Sequence, residues 1–447
     1  MRGDSTMMDE RRLILEGANL IDGSGGAPIR DAMIVIEGNR IRYAGGRTDR
    51  FNSGRARRWR LHGKTVTPGL IEAHTHAAFD GDMRAYVKNG ITTIRFAGFD
   101  QTSVDRLSKR INDGELRGPR ILSCGPMIDQ PPAAYPEWSI EVDTPAEAAA
   151  AAERLIAEHD LHSLILTQRV TKPVMRAVIE VAHAHERLVV AQTWDVDGAE
   201  AAELGIDELH TGSRVCASPL YPRNRLLRYA SIPERLALAS RLWAAIDWEL
   251  TQPIIDAMIV RRVVYCGMQV ITQYQIGEGI SELEEDPDFR NLFSDEEKTA
   301  FRKFTQRLQG GWTPEDVEFG RVANEQRAEW LRRYHRAGGR IIVGTDMQFG
   351  GIMLHRELKN LEGIGMSRLE VIAAATGAGA RALHLDSKLG LVRENRLADL
   401  LVLNRDPLQD LSALRDIACV IQDGVVAWSD RRAEFAHDNA NTEWMLR

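Results

Sequence analysis

Hydrophobic and polar positions divide the chain into two β-rich ends and a long middle of alternating strand-like and helix-like runs. Near the N-terminus, 12–20, 32–37 and 40–45 alternate or run apolar, and Asp22-Gly23 and Gly38-Asn39 supply turns between them. Short apolar runs return at 397–403 and 418–428, the second interrupted by Asp423-Gly424, a pair suited to a tight hairpin. The two ends predict one small sheet domain drawn from 11–68 and 386–435, preceded by a disordered tail at 1–10.

Between 69 and 385 the runs at 69–74, 92–96, 120–124, 163–167, 188–192, 208–211, 269–272 and 340–344 read as strands. Amphipathic stretches such as 146–159, 173–185 and 324–337 read as helices between them. Eight strands alternating with helices predict an α/β fold, a closed parallel (β/α)8 TIM barrel. Such barrels carry their reactive groups at the C-terminal strand ends, and His74, His76, Gln192, His210 and Asp346 all fall at or just after one. Two stretches, near 213–250 and 275–322, exceed ordinary loops. They are charged and helix-prone, carry Trp243, Trp248 and Trp312, and read as a lid, an oligomer contact or a solvated decoration.

Composition narrows the class. With 44% hydrophobic and 27% charged residues in 447, the chain reads as an ordinary soluble globular protein. A net charge of −7 makes no electrostatic case for nucleic acid or an anionic membrane as partner. No apolar run reaches membrane-spanning length, and 1–12 lack the apolar core of a signal peptide. Cys124, Cys216, Cys266 and Cys419 lie far apart, which suits reduced thiols and a cytoplasmic location.

The candidate chemistry begins at Pro68-Gly-Leu-Ile-Glu-Ala-His74-Thr-His76. Residues two apart in a strand share a face, so His74 and His76 can reach one ion from a rigid strand end. Imidazole suits zinc and other transition metals, although two histidines at a strand end also serve as plain hydrogen-bonding groups.

With Lys88-Asn-Gly-Ile-Thr-Thr-Ile-Arg95, Gly344-Thr-Asp346, His355-Arg-Glu-Leu358, Ala373-Ala-Ala-Thr-Gly377, Ala380-Arg-Ala-Leu383 and Leu397-Ala-Asp-Leu-Leu-Val-Leu403, that stretch resembles the amidohydrolase superfamily. The resemblance is to its imidazolonepropionase-like and prolidase-like branch and covers nearly the whole chain. It implies a (β/α)8 barrel plus a β-sandwich built from both termini. It also implies a metal site in which His74, His76 and Asp346 hold one ion, and in which a carboxylated strand-4 Lys and histidines after strands 5 and 6 hold a second. A water activated by the metal then attacks an amide, lactam or lactone carbonyl, with Asp346 as general base.

The second half of that site is missing. Leu166 stands where the Lys is expected, and Gln192 where the strand-5 His is expected. In strand 6, an ungapped match puts Thr211 at the ligand position. One deleted residue puts His210 there, close to the water or substrate as an acid or base. His183 and His185 read as helix-end residues, and His355 as structural. The resemblance therefore implies one divalent metal, zinc in the first instance, with three protein ligands and an open position. Phe96, Gln192, Trp194, Tyr274 and Met347, with Phe99 and Phe349, suggest a partly apolar small-molecule substrate. Arg95 and Arg169 are candidates for a substrate carboxylate.

The expected activity is metal-dependent hydrolysis of a C–N bond (amide, lactam, carbamate) or a lactone or ester in a small organic molecule. The alternatives are a non-hydrolytic step on the same fold (cyclisation, dehydration, isomerisation or decarboxylation) and a ligand-binding relative without catalysis. Relatives of this kind are usually dimers or larger, so a homo-oligomer is expected.

Overall fold

A computed structural model describes residues 12–51, 56–221, 231–430 and 433. The expected tail at 1–10, part of the first insertion (222–230) and the end of the expected C-terminal segment lie outside the described residues. Both ends of the described chain enter one sheet of eight strands. Arg12–Leu20 pairs antiparallel with Ile29–Glu37, which pairs with Arg40–Gly46. Arg12–Leu20 also takes Arg57–Arg60 and Thr65–Pro68 in parallel. Thr65–Pro68 then pairs antiparallel with Leu400–Leu403 from the far end of the chain, and Ile417–Gln422 and Val425–Ser429 complete the sheet.

The alternation of side chains explains this assembly. Leu13, Leu15, Ile34, Ile36, Val66, Leu400 and Val402 form one buried cluster, while Ile14, Met33 and Val35 are buried in another. Gln422 pairs with Val425, so Asp423-Gly424 is a two-residue turn. Both turn residues take positive φ, 50° and 77°, which gives the turn the twist a hairpin needs.

Eight parallel strands follow: Leu70–Thr75 (β1), Ile91–Phe96 (β2), Arg120–Ser123 (β3), Ser163–Leu166 (β4), Leu188–Ala191 (β5), Glu208–His210 (β6), Val264–Cys266 (β7) and Arg340–Ile342 (β8). The strands β1 to β3 make one sheet, and β4 to β8 join Met127–Asp129 and Ser139–Glu141 in a second. Backbone hydrogen bonds link the two: His162 N donates to Ser123 O at 2.8 Å, Ala73 N to Val343 O at 2.8 Å and Thr345 N to His74 O at 3.0 Å. Helices alternate with the strands, among them Pro145–Glu158, Lys172–Ala184, Gly198–Leu204 and Pro314–Arg336. The result is an α/β fold with parallel strands. Among the described residues, no helix is long and apolar enough to cross a membrane.

One expected strand is corrected. Residues 269–272 lie in a helix, Gln269–Gln275, and the strand is the upstream run Val264–Cys266. Both are short apolar runs, which periodicity cannot separate. The helix is decided by a distant residue: Glu357 accepts from Gln269 N at 3.1 Å and Val270 N at 2.9 Å, satisfying two of its free first-turn N–H groups.

The described parts of the two insertions contain helices, and they dock on one another. Ile232–Ala244 belongs to the first, and Pro287–Leu292 and Asp295–Gln309 to the second. Trp312 Nε1 donates to Pro233 O at 3.0 Å, and Arg241 pairs with Asp316 at 2.8 Å. Phe289, Phe293 and Phe301 of the second insertion surround Phe349, just past β8, with ring centroids 5.2, 4.5 and 4.8 Å away.

Trp330 ties the helical layer to the strands. It is fully buried, its Nε1 donates to Val215 O at 2.9 Å, and its ring lies 4.5 Å from that of Tyr265. Trp330→Ala is expected to cost ~3–5 kcal/mol, read as a lower midpoint in urea unfolding. A shift under ~1 kcal/mol would remove Trp330 from the core argument.

Candidate metal centre

The end of β1 and the turn after β8 meet at one point. Thr345 N and Asp346 N both donate to His74 O, at 3.0 and 3.1 Å. That approach needs Gly344, because a Cβ there would lie 2.9 Å from His74 Cβ and 2.8 Å from Cys266 Sγ. Asp346 itself takes φ of +56°, a conformation that non-glycine residues adopt mainly where the surroundings impose it. Below it, Met347 O accepts from His76 N at 3.2 Å and from Thr75 Oγ1 at 3.0 Å.

The side chains then converge. His74 Nε2 and His76 Nε2 are 3.3 Å apart and lie 3.1 and 2.9 Å from Asp346 Oδ1. Behind His74, its Nδ1 is 2.6 Å from Nδ1 of His210, whose Nε2 is 2.5 Å from Glu208 Oε1. Arg95 completes the chain, with Nη2 donating to Glu208 at 2.6 Å and Nε to Ala73 O at 2.8 Å. All four residues of this chain, Arg95, Glu208, His210 and His74, are buried.

Electrostatics fixes the protonation. Burial pushes the Glu208 carboxyl up, but Arg95 and His210 outweigh it and bring it down to about 2, so it is ionised. Burial pushes His74 down to about 3, against the pull of Asp346, so the ring is neutral. Burial also pushes Asp346 up, but His74 and His76 hold it well below the ordinary carboxylate range.

One proton order pairs the inner ring nitrogens: Glu208 accepts from His210 Nε2, and His210 Nδ1 accepts from His74 Nδ1. His74 Nε2 is then an unprotonated lone pair facing a carboxylate and a second imidazole. Convergent lone pairs of this kind fit a cation, and the three donor atoms lie within 4.8 Å of one another. The donor set, two imidazoles and one carboxylate, suits zinc or a similar divalent ion.

Several sequence expectations change here. His210 is not beside an open coordination position: both its ring nitrogens are engaged and it lies behind His74. Thr211 faces elsewhere, its hydroxyl donating to Gly267 O. Phe96, Tyr274 and Met347, expected as substrate contacts, are 1%, 0% and 0% exposed. All three are packed in the apolar interior; Tyr274 lies 5.6 Å from Phe301 under the second insertion. Gln192 is buried as well, and Trp194 is partly exposed, its carbonyl accepting from Tyr221 and Arg214. Arg95 is spent on Glu208.

Leu166 belongs to the same buried cluster as Val174 and Val178 of the following helix, whereas Ile165 packs with Ala97, Cys124 and Val190. The position on the Ile165 side at the end of β4 is therefore Thr167, which is no more able than leucine to carry a carboxylated amine. His183 and His185 pair with Asp207 and Glu153 near the surface, and His355 donates to Asn89 O, all as structural residues.

Sequence reasoning missed the wall beside the ligands. Trp138 stacks on His76 with centroids 5.9 Å apart, and Tyr135 and Phe99 stack on Trp138 at 6.3 and 6.0 Å. The signal was an aromatic, proline-rich loop at the end of a barrel-like strand, Pro131-Pro-Ala-Ala-Tyr135-Pro-Glu-Trp138.

The model of the amidohydrolase family matches residues 65–427. The chain belongs to the amidohydrolase family. It is an enzyme of the amidohydrolase type. Short stretches match curated proteins: 40% identity over 63 residues to an imidazolonepropionase of Cupriavidus necator, and 35% over 68 to a 5-methylthioadenosine/S-adenosylhomocysteine deaminase of Symbiobacterium thermophilum. These stretches cover 14% and 15% of this chain and only 15% and 16% of those proteins. The fold is similar to that of an Xaa-Pro dipeptidase solved with methionine in its active site, at 21% identity and a TM-score of 0.69, covering 94% of this chain and 100% of that one. It is also similar to A. niger ochratoxinase, at 18% identity and 0.70, covering 97% and 99%.

Proposed function

We propose that this amidohydrolase is a metal-dependent hydrolase of a C–N, lactone or ester bond in a small organic molecule, with His74, His76 and Asp346 as the ligands of a single ion. The eight parallel strands act as a closed barrel around the ligands, and the described strands from both ends of the chain form a separate β-sandwich domain. The observation that carries the reading is the convergence of two imidazole lone pairs and one carboxylate oxygen.

When bound, a divalent ion there supplies Lewis-acid polarisation of a carbonyl and acidifies water. Asp346 is the base that receives the proton of the attacking water and returns it to the leaving group. Glu208 and His210 are positioning residues that keep the His74 Nε2 lone pair directed at the ion. Trp138, stacked on His76, shields one side from solvent.

A non-hydrolytic reaction on the same site is the second reading. Thr167 and Gln192 offer no ionisable group for a second ion, which supports a departure from two-metal chemistry. Metal analysis of protein purified without chelator is expected to give one equivalent per chain, and chelation to abolish turnover of lactams, N-acyl compounds and lactones. Two equivalents would overturn the single-ion reading. Metal-dependent conversion without net addition of water would favour the second.

A further inference from the structure

Beyond the ligands, the aromatic wall ends on a cation. Arg235, from the first insertion, has its guanidinium carbon 5.3 Å from the centroid of the Tyr135 ring. The ring of Tyr135 stacks on Trp138, which stacks on His76. Arg235 is therefore two aromatic layers from a ligand imidazole. It is 6% exposed. Its Nη1 donates to Gln168 Oε1 at 2.8 Å and its Nη2 to Ala134 O at 2.9 Å, both neutral acceptors. Its Nε is buried without a partner.

Among the described residues, no carboxylate lies within ion-pair distance of Arg235. A buried cation without a counter-charge is costly; Arg95, also buried, is paired with Glu208. Of the five guanidinium N–H donors, two are used in those bonds. Nε–H is left without a partner, and each Nη keeps one further N–H; Nε–H with an Nη–H is the edge of a guanidinium that receives a carboxylate side-on.

We propose that Arg235, framed by Gln168 and Tyr135, is the binding subsite for a carboxylate carried by the substrate, set one aromatic wall away from the metal ligands. The substrate class is then an amide- or ester-type molecule with a free carboxylate and an apolar or aromatic group that stacks along Tyr135 and Trp138. This deepens the function proposed above and rests on it only for the position of the reactive centre.

The test uses probes that cannot be hydrolysed, so its outcome is independent of any turnover. Calorimetry on the protein as purified compares 3-phenylpropanoate with the neutral alcohol 3-phenylpropan-1-ol. The acid is expected to bind at least ~10-fold more tightly, the size of one charge-assisted hydrogen-bonded pair. Arg235→Gln and Arg235→Ala are expected to erase that preference, and Arg235→Lys to keep part of it, with thermal unfolding confirming that each variant is folded. Chelation is expected to leave the preference intact. Equal binding of acid and alcohol, no binding of the acid, or a preference that survives Arg235→Gln would overturn the subsite. So would a preference lost on chelation, which would place the carboxylate on the ion instead.

Discussion

Replacing Asp346 with Asn is expected to lower turnover on the order of 10²–10⁴-fold, the range for loss of a general base. The variant separates chemistry from folding unusually well. Asn has the size of Asp and tolerates positive φ, so the +56° backbone at this position is kept. What is lost is the negative charge that two imidazoles face at 2.9 and 3.1 Å. The amide cannot accept a proton from water, and it leaves two neutral donors where there were two and an anion. Metal content measured alongside kcat is therefore expected to fall as well. Near-normal turnover in a metal-loaded Asp346→Asn protein would exclude Asp346 as the base.

The second large effect is predicted behind the ligands. Glu208→Leu leaves the Arg95 guanidinium buried without a counter-charge, at an expected cost of ~3–5 kcal/mol in chemical unfolding. It also removes the acceptor that orders the protons of His210 and His74, so affinity for the metal is expected to fall ~10–100-fold. The double variant Arg95→Met with Glu208→Leu distinguishes the two roles. Exchanging the whole buried pair for apolar groups restores most of the stability. It does not restore the proton order, so metal affinity stays low. Recovery of both together would reduce Glu208 to a purely structural partner of Arg95, and a single variant within ~0.5 kcal/mol of the parent would contradict the burial argument.

The parts of this site that are local in sequence were legible in it. His74 and His76 share a face because a strand has a period of two, and their direction needs no knowledge of the rest of the chain. The terminal hairpins were legible for the same reason, since turn chemistry at Asp423-Gly424 is a property of two residues. Strand β7 was misread because Val264–Cys266 and Gln269–Thr272 are equally short and apolar, and the tie was broken by Glu357, almost ninety positions away. The parity of β6 was open between His210 and Thr211 until the burial of Glu208 against Arg95 settled which side faces inward.

What the sequence determined by itself was the alternating strand and helix order and the shared face of His74 and His76; the resemblance to the amidohydrolase superfamily added Asp346 as a third candidate donor and the expectation that nothing at the ends of β4 and β5 bridges a second ion. The first two follow from short-range periodicity alone. Tertiary structure decided how His210 is used, that the buried Arg235 has only neutral partners among the described residues, and which aromatic residues form the wall. Those are questions of distance between residues far apart in the chain, such as His74 and His210 or Tyr135 and Arg235. Strand alternation says which face a side chain takes, but only packing says what it meets there.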